Sequence, residues 1–119
     1  MKDIQNRTRL MTNYSFGNIL LLEFPHAEGH GISKRPVLVL ADTDEKDVVV
    51  AKITGVQERG HFDIPIDNWK EVGLLFPSVI RTEKLATLSK SRIIRKFGTL
   101  DISYHSKIRA KLKSLFGIL

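Results

Sequence analysis

Four side chains in this sequence are of types, and at spacings, that could act together on an anionic substrate. Arg35 precedes Pro36, where a glycine-bearing stretch gives way to the apolar run Val37-Leu38-Val39-Leu40. A guanidinium is a planar, permanently charged fork whose donors match two phosphate oxygens at once. At a junction of loop and strand its backbone is held while its head faces a groove; a surface arginine in a salt bridge is the plainer alternative. Thr54 closes a run of strand-forming residues that begins at Asp47. Its hydroxyl can bond a phosphate oxygen, although threonine is common in strands for steric reasons alone. Arg81 and Glu83 are two apart, so an extended backbone points both to one face. There they supply a proton acceptor and an anion clamp, or an exposed ion pair contributing roughly 0–1 kcal/mol.

Other candidates are weaker. His26 and His30 lie in the stretch before Arg35, and imidazole titrates where acid–base work is done. A solvated loop histidine is the plainer reading, above all for His26. No third ligand at suitable spacing accompanies them, so no metal site is expected. Trp69, after Asp67-Asn68, can stack on a nucleobase or cover a core or subunit seam, and the second role is favoured slightly. His61 and His105 have no constellation around them and are read as surface residues.

These groups must be positioned by the elements around them, which over the first two-thirds read as short strands between turn signals. Strands are expected at Phe16–Phe24, Arg35–Ala41, Asp47–Thr54 and Phe62–Ile66, with Pro65 marking the last as an edge. Leu74–Phe76, Ser78–Arg81 and Lys84–Leu88 read as further strand pieces. Ser91–Phe97 reads as a short helix ended by Gly98. Asp101 is placed to cap a last helix running to about Phe116, with Ile108, Leu112, Leu115 and Phe116 as its apolar stripe. The expected fold is mainly β with a C-terminal helix, a small, strongly bent barrel.

The chain has 119 residues, 42% of them apolar, enough for one domain with a core of its own. It has no cysteine, which excludes disulfides and thiolate zinc sites and fits a reducing cytoplasm. No signal peptide or membrane-spanning run is visible. Residues 1–13 are polar and read as a flexible extension, with residues 14–119 as the single domain; Met11 is a second candidate translation start. The net charge of +6 is unevenly spread: residues 1–80 carry nine Lys/Arg and eleven Asp/Glu, and residues 81–119 carry ten and two. The basic last third favours a phosphate backbone or an acidic peptide, and a solvated face would look the same.

Several stretches resemble, in order and spacing, the MazF/PemK toxins. They are Gly17-Asn18-Ile19-Leu20, Gly31-Ile32-Ser33-Lys34-Arg35-Pro36 with the strand after it, Ile53-Thr54, Gly73-Leu74 through Ser78-Val79 to Glu83-Lys84, and Ile94-Arg95-Lys96-Phe97-Gly98-Thr99-Leu100. The likeness spans about Gly17 to Leu115. It implies a small SH3-like β-barrel of the MazF/PemK/CcdB type, a homodimer, and a toxin of a type II toxin–antitoxin system restrained by a cognate antitoxin. It implies metal-independent, cofactor-free cleavage of single-stranded RNA, often messenger RNA, in which the 2′-hydroxyl attacks the adjacent phosphorus. Carried over residue by residue, Arg35, Thr54, Arg81 and Glu83 form the catalytic set. His30, Lys34, Ser78, Lys84 and Trp69 form the RNA-binding set. The family carries Arg-x-Asp or a glutamate near position 83 and often Gln where Lys84 stands, so base selectivity can differ here.

Two other readings compete. One is a gyrase-poisoning toxin of the CcdB kind, whose terminal Trp-Gly-Ile is only partly echoed by Phe116-Gly117-Ile118-Leu119. The other is a non-catalytic RNA- or peptide-binding barrel, which strand pattern and charge alone do not distinguish.

Overall fold

The structure is a computed structural model that describes residues 13–25, 31–55 and 60–117. Among the described residues six strands and one α-helix carry the fold: β1 (Asn18–Pro25), β2 (Ile32–Asp42), β3 (Asp47–Thr54), β4 (Asp63–Ile66), β5 (Ser78–Ser89), β6 (Ile93–Thr99) and α1 (His105–Phe116). The strands form one antiparallel sheet in the order β4-β5-β3-β2-β1-β6. β4 and β6 are its two edges and do not pair with each other, so the sheet is open where the sequence led us to expect a closed barrel. Pro65 lies in edge strand β4, where its missing N–H costs no internal ladder bond.

Why the β2 run is continuously apolar is clear from the two cores. Leu38 joins Ile19, Ala51, Ile53, Ile80, Leu100 and Ile108 on one face; Val37 and Val39 join Leu20, Leu22, Val48 and Val50 on the other. A strand buried on both faces loses the polar alternation of a surface strand. The sheet achieves this by bending. Between β3 and β5 the register jumps from Lys52↔Arg81 to Ala51↔Leu85, and the far half of β5 brings Ala86 and Leu88 onto the second core. α1 covers the first core through fully buried Ile108, and Tyr104 just before it accepts the Asp67 backbone N–H at 2.9 Å.

Asp101 does cap the C-terminal helical segment. Its carboxylate accepts the Ser103 N–H at 3.0 Å and opens a 3-10 turn, Ile102–Tyr104, that runs into α1. Gly117, at φ 67°, closes α1 by donating its N–H to the Lys113 carbonyl at 2.8 Å. The apolar stripe fades along the helix, since Phe116 is exposed. Among the described residues no helix is long and apolar enough to cross a membrane.

Three expectations need correction. Ser91–Phe97 is not helical: a 3-10 turn over Lys90–Arg92, capped by Ser89, leads into β6. Ile93 and Phe97, four apart, share a face at either period, whereas Ile94 joins them only in a helix and is exposed in the strand. A lone seven-residue helix is marginal, whereas the open edge of β1 supplies ladder partners from Leu22↔Ile93 to Asn18↔Thr99. Leu74–Phe76 is not a strand but the exit of a turn, in which the Leu74 N–H bonds the Trp69 carbonyl at 2.9 Å. Ser78–Arg81 and Lys84–Leu88 are one bent strand.

Candidate active-site groove

The groove follows from where two ladders part. β2 and β3 pair only from Val37↔Lys52 inward. Beyond that pair β2 stays with β1 through Pro36↔Leu21 and Arg35↔Leu22, and β3 stays with β5 through Ile53↔Ile80 and Thr54↔Val79. Pro36, which has no N–H to offer a ladder, lies at the parting. The space between holds a cavity of about 430 Å³. Its basic lining is Lys34, Arg35 and Arg95, its hydroxyls are Thr54 and Ser78, and much of the rest is Leu21, Leu74, Leu75, Phe76 and Phe97.

Arg35 is exposed, and among the described residues it makes no hydrogen bond or ion pair. Its guanidinium therefore keeps its full donor set for an anion in the groove. Its backbone is fixed inside β2, as the fourth residue of the strand, while Val37 next but one is fully buried. Thr54 is the last residue of β3 and half-buried. Arg95 reaches the groove from β6, its guanidinium 4.9 Å from the Phe97 ring centroid. Ser78 lines the groove too, but its Oγ donates to the Phe76 carbonyl at 2.8 Å, so it also braces the wall.

Arg81 and Glu83 meet as their spacing requires, Nη2 to Oε1 at 3.3 Å. The pairing of Lys52 with Arg81 and of Thr54 with Val79 puts Arg81 on the same sheet face as Thr54. Neither residue lines the groove, however. Arg81 Nε is 3.1 Å from Asp63 Oδ1, a carboxylate with 0% side-chain exposure, so its fork is already committed on one side.

Lys84 is exposed outside the groove. Trp69 packs partly buried against the first core, the covering role favoured from sequence, with Lys70 Nζ 5.4 Å from its ring. His26 and His30 lie outside the described residues. His105 is not a loose surface residue: its ring meets Phe16 edge-on at 4.7 Å and sits so close to Gly17 that a Cβ there would come within 3.0 Å of Nε2. His61 is exposed and rests edge-on against Phe62. Among the described residues no three His, Asp or Glu side chains are grouped to hold a metal ion.

Sequence reasoning missed the Asp63 anchor of Arg81 and the place of Arg95 and Phe97 in the groove. Arg95 and Phe97 are two apart, and reading 93–99 as a strand would have put them on one face.

A sequence profile of the family described as PemK-like, MazF-like toxin of type II toxin–antitoxin system matches residues 15–116. Comparison with curated proteins gives no match. Among solved structures, toxin MazF-mt6 of Mycobacterium tuberculosis is 23% identical, aligns over 86% of this chain and 98% of its own, and has a TM-score of 0.72. A MazE–MazF structure from Deinococcus radiodurans (Form-II) is 20% identical, over 90% of this chain and 100% of its own, with a TM-score of 0.71. An endoribonuclease in complex with its cognate antitoxin, from a mycobacterial species, is 16% identical, over 90% and 98%, with a TM-score of 0.72.

Proposed function

Because the chain belongs to the PemK-like, MazF-like toxin family of type II toxin–antitoxin systems, we propose that it is an endoribonuclease that cuts single-stranded RNA without a metal ion. The observation that carries this reading is the groove between the parted ladders, where Arg35, whose side chain has no partner among the described residues, stands with Thr54 in one cavity. That a mycobacterial structural neighbour is an endoribonuclease held by its antitoxin supports it.

The chemistry requires a base for the 2′-hydroxyl proton, an acid for the leaving 5′-oxygen, and donors for the charge that develops on the phosphorane. Arg35 clamps the non-bridging oxygens bidentately. Thr54 bonds one of them and turns the scissile phosphate toward attack. Glu83, paired with Arg81 just outside the cavity and more exposed than Asp63, is the carboxylate assigned to take the 2′-hydroxyl proton. Arg81, pinned by Asp63, contributes field more than a clamp. Oxygen of the 2′-hydroxyl gives its proton to Glu83 and forms the new bond to phosphorus as the bond to the 5′-oxygen breaks; the departing 5′-oxygen takes a proton from water in the open groove, leaving a cyclic phosphate and a 5′-hydroxyl. DNA, lacking that hydroxyl, is not cut. Incubation with single-stranded RNA in EDTA is expected to give fragments ending in a cyclic or 2′/3′-phosphate. Activity that disappears in EDTA and returns with magnesium would overturn the mechanism.

The same reading takes the bent open sheet as a variant of the SH3-like barrel of this family. It takes residues 14–119 as the working domain, the cytoplasm as its location, and a homodimer as the active form. One chain presents a shallow groove, and two side by side present a channel for several nucleotides. Lys34, Arg35 and Arg95 give the groove its charge, so RNA affinity should fall by about twentyfold between roughly 50 and 200 mM salt if three phosphates are engaged. A cognate antitoxin would place carboxylates where those phosphates lie. Light scattering at micromolar concentration together with salt-titrated binding tests both. A monomer, or affinity indifferent to salt, would remove the channel.

A further inference from the structure

We propose that the Phe76 ring is a stacking platform for an unpaired nucleobase beside the scissile phosphate, and that the segment 74–77 thereby selects single strands. The inference rests on the endoribonuclease reading above and adds a base subsite to it.

The observations are local to the groove wall. Leu75 is 80% exposed and Phe76 62% exposed, side by side in the wall of the groove that holds Lys34, Arg35 and Arg95. Scattered apolar residues on a surface need no explanation, but two adjacent ones beside a cluster of cations present a mixed surface. Such a surface matches a nucleic-acid strand, whose phosphates seek cations and whose unstacked bases seek aromatic faces. A folded acidic protein surface would satisfy the cations and leave the ring in water.

The ring is presented on a braced backbone. Leu74 is anchored in the first core and gives its N–H to Trp69. Pro77 restricts Phe76 to extended conformations, and Ser78 Oγ holds the Phe76 carbonyl at 2.8 Å. Ordering cost is therefore largely met before RNA arrives. The ring also lies against the residue after Thr54: a Cβ built on Gly55 would sit 3.6 Å from Phe76 Cδ2. A phosphate bonded to Thr54 thus has the ring within one nucleotide's reach. A base already stacked and paired in a duplex cannot reach that face without being extruded, which gives the strand selectivity.

The test uses the full chain and a ribo-oligonucleotide that the wild type cuts. Phe76→Ala should raise KM by about tenfold, the scale of one lost base–aromatic stack, with kcat little changed. A single abasic position beside the cleavage point should raise the wild-type KM by a similar factor and add little in Phe76→Ala, because both changes remove one contact. Phe76→Trp should restore KM. With 2-aminopurine at that position, and the cleavage-site 2′-hydroxyl removed to stop turnover, the wild type should quench the fluorescence and Phe76→Ala should not. An unchanged KM, an abasic penalty equal in both proteins, or a Phe76→Ala protein that differs from wild type in mass by light scattering would overturn the stacking role; the last would assign the ring to a subunit seam. A wild type that cuts no RNA overturns the parent reading as well, whereas a wild type that cuts and a Phe76→Ala that cuts identically remove the stacking role alone.

Discussion

Arg35→Ala is expected to lower RNA cleavage by roughly 10²–10³-fold, about 3–4 kcal/mol in transition-state stabilisation, and to leave the chain folded. The size follows from chemistry. As the phosphorane forms, charge accumulates on oxygens that a guanidinium fork meets with two bonds at once. No water brought in by truncation reproduces that geometry without reorganising. The tolerance of the fold follows from placement. Arg35 is exposed and makes no hydrogen bond or ion pair among the described residues, while Val37, Leu38 and Val39 of the same strand hold both cores. The loss should appear mainly in kcat, because the clamp tightens on charge that exists only in the transition state. Arg35→Lys should recover only part of it, since an ammonium is a point charge and not a fork. Initial rates on one oligonucleotide, beside a urea unfolding curve for each protein, decide the matter. A wild-type rate in Arg35→Ala, or a collapsed unfolding midpoint, would count against the assignment.

How far such a site can be read from sequence depends on which physical signal each residue carries. The β2 run announced its burial because two-sided packing removes alternation, and Pro65 announced an edge because it has no N–H to donate. Arg81 and Glu83 announced their meeting because the strand period is two. Ser91–Phe97 misled for the converse reason: Ile93 and Phe97 share a face at either period and Ile94 tips the pattern toward a helix, and what decided was the unpaired edge of β1, a partner some seventy residues away in the chain. The groove was half legible. Arg35 could be picked out by type and context, and Thr54 only through the family resemblance; both line the cavity. That Arg95 and Phe97 stand opposite them depends on β1 lying between β2 and β6, a matter of strand order on which local spacing is silent. The Asp63 anchor was hidden likewise: Phe62–Ile66 is legible as an edge strand, but that it pairs with β5 and so brings Asp63 beside Arg81 is again a matter of strand order.

Asp42→Asn is expected to destabilise the fold by about 3–5 kcal/mol at neutral pH without altering the groove. Asp42 ends β2 and Lys90 opens the turn after β5; Nζ and Oδ1 are 2.9 Å apart, with side chains 4% and 6% exposed respectively. The carboxylate also accepts the backbone N–H groups of Tyr14 and Asp44, both at 2.7 Å. Burial pushes the Asp42 carboxyl up, but the Lys90 ammonium and those two N–H groups together outweigh it and hold the group below its ordinary value of 3.8. With the folded value depressed, the stabilisation is fully present above the unfolded value of about 3.9 and is lost as pH falls through the folded one. Asparagine keeps an acceptor but leaves the ammonium buried without a counter-charge. The gap between wild type and Asp42→Asn should therefore be widest near neutrality and should narrow below about pH 4, where the wild type is also losing its carboxylate. Adding Lys90→Met to Asp42→Asn should return much of the loss, because the cost is the orphaned charge and not the missing attraction. Arg35 lies seven residues back along β2, roughly 23 Å of extended strand, so KM for RNA should not move in whatever fraction remains folded. Urea unfolding from neutral to acid pH measures the effect. A gap that stays constant across that range, or a double variant no more stable than the single one, would show that the buried pair does not clamp this end of the sheet.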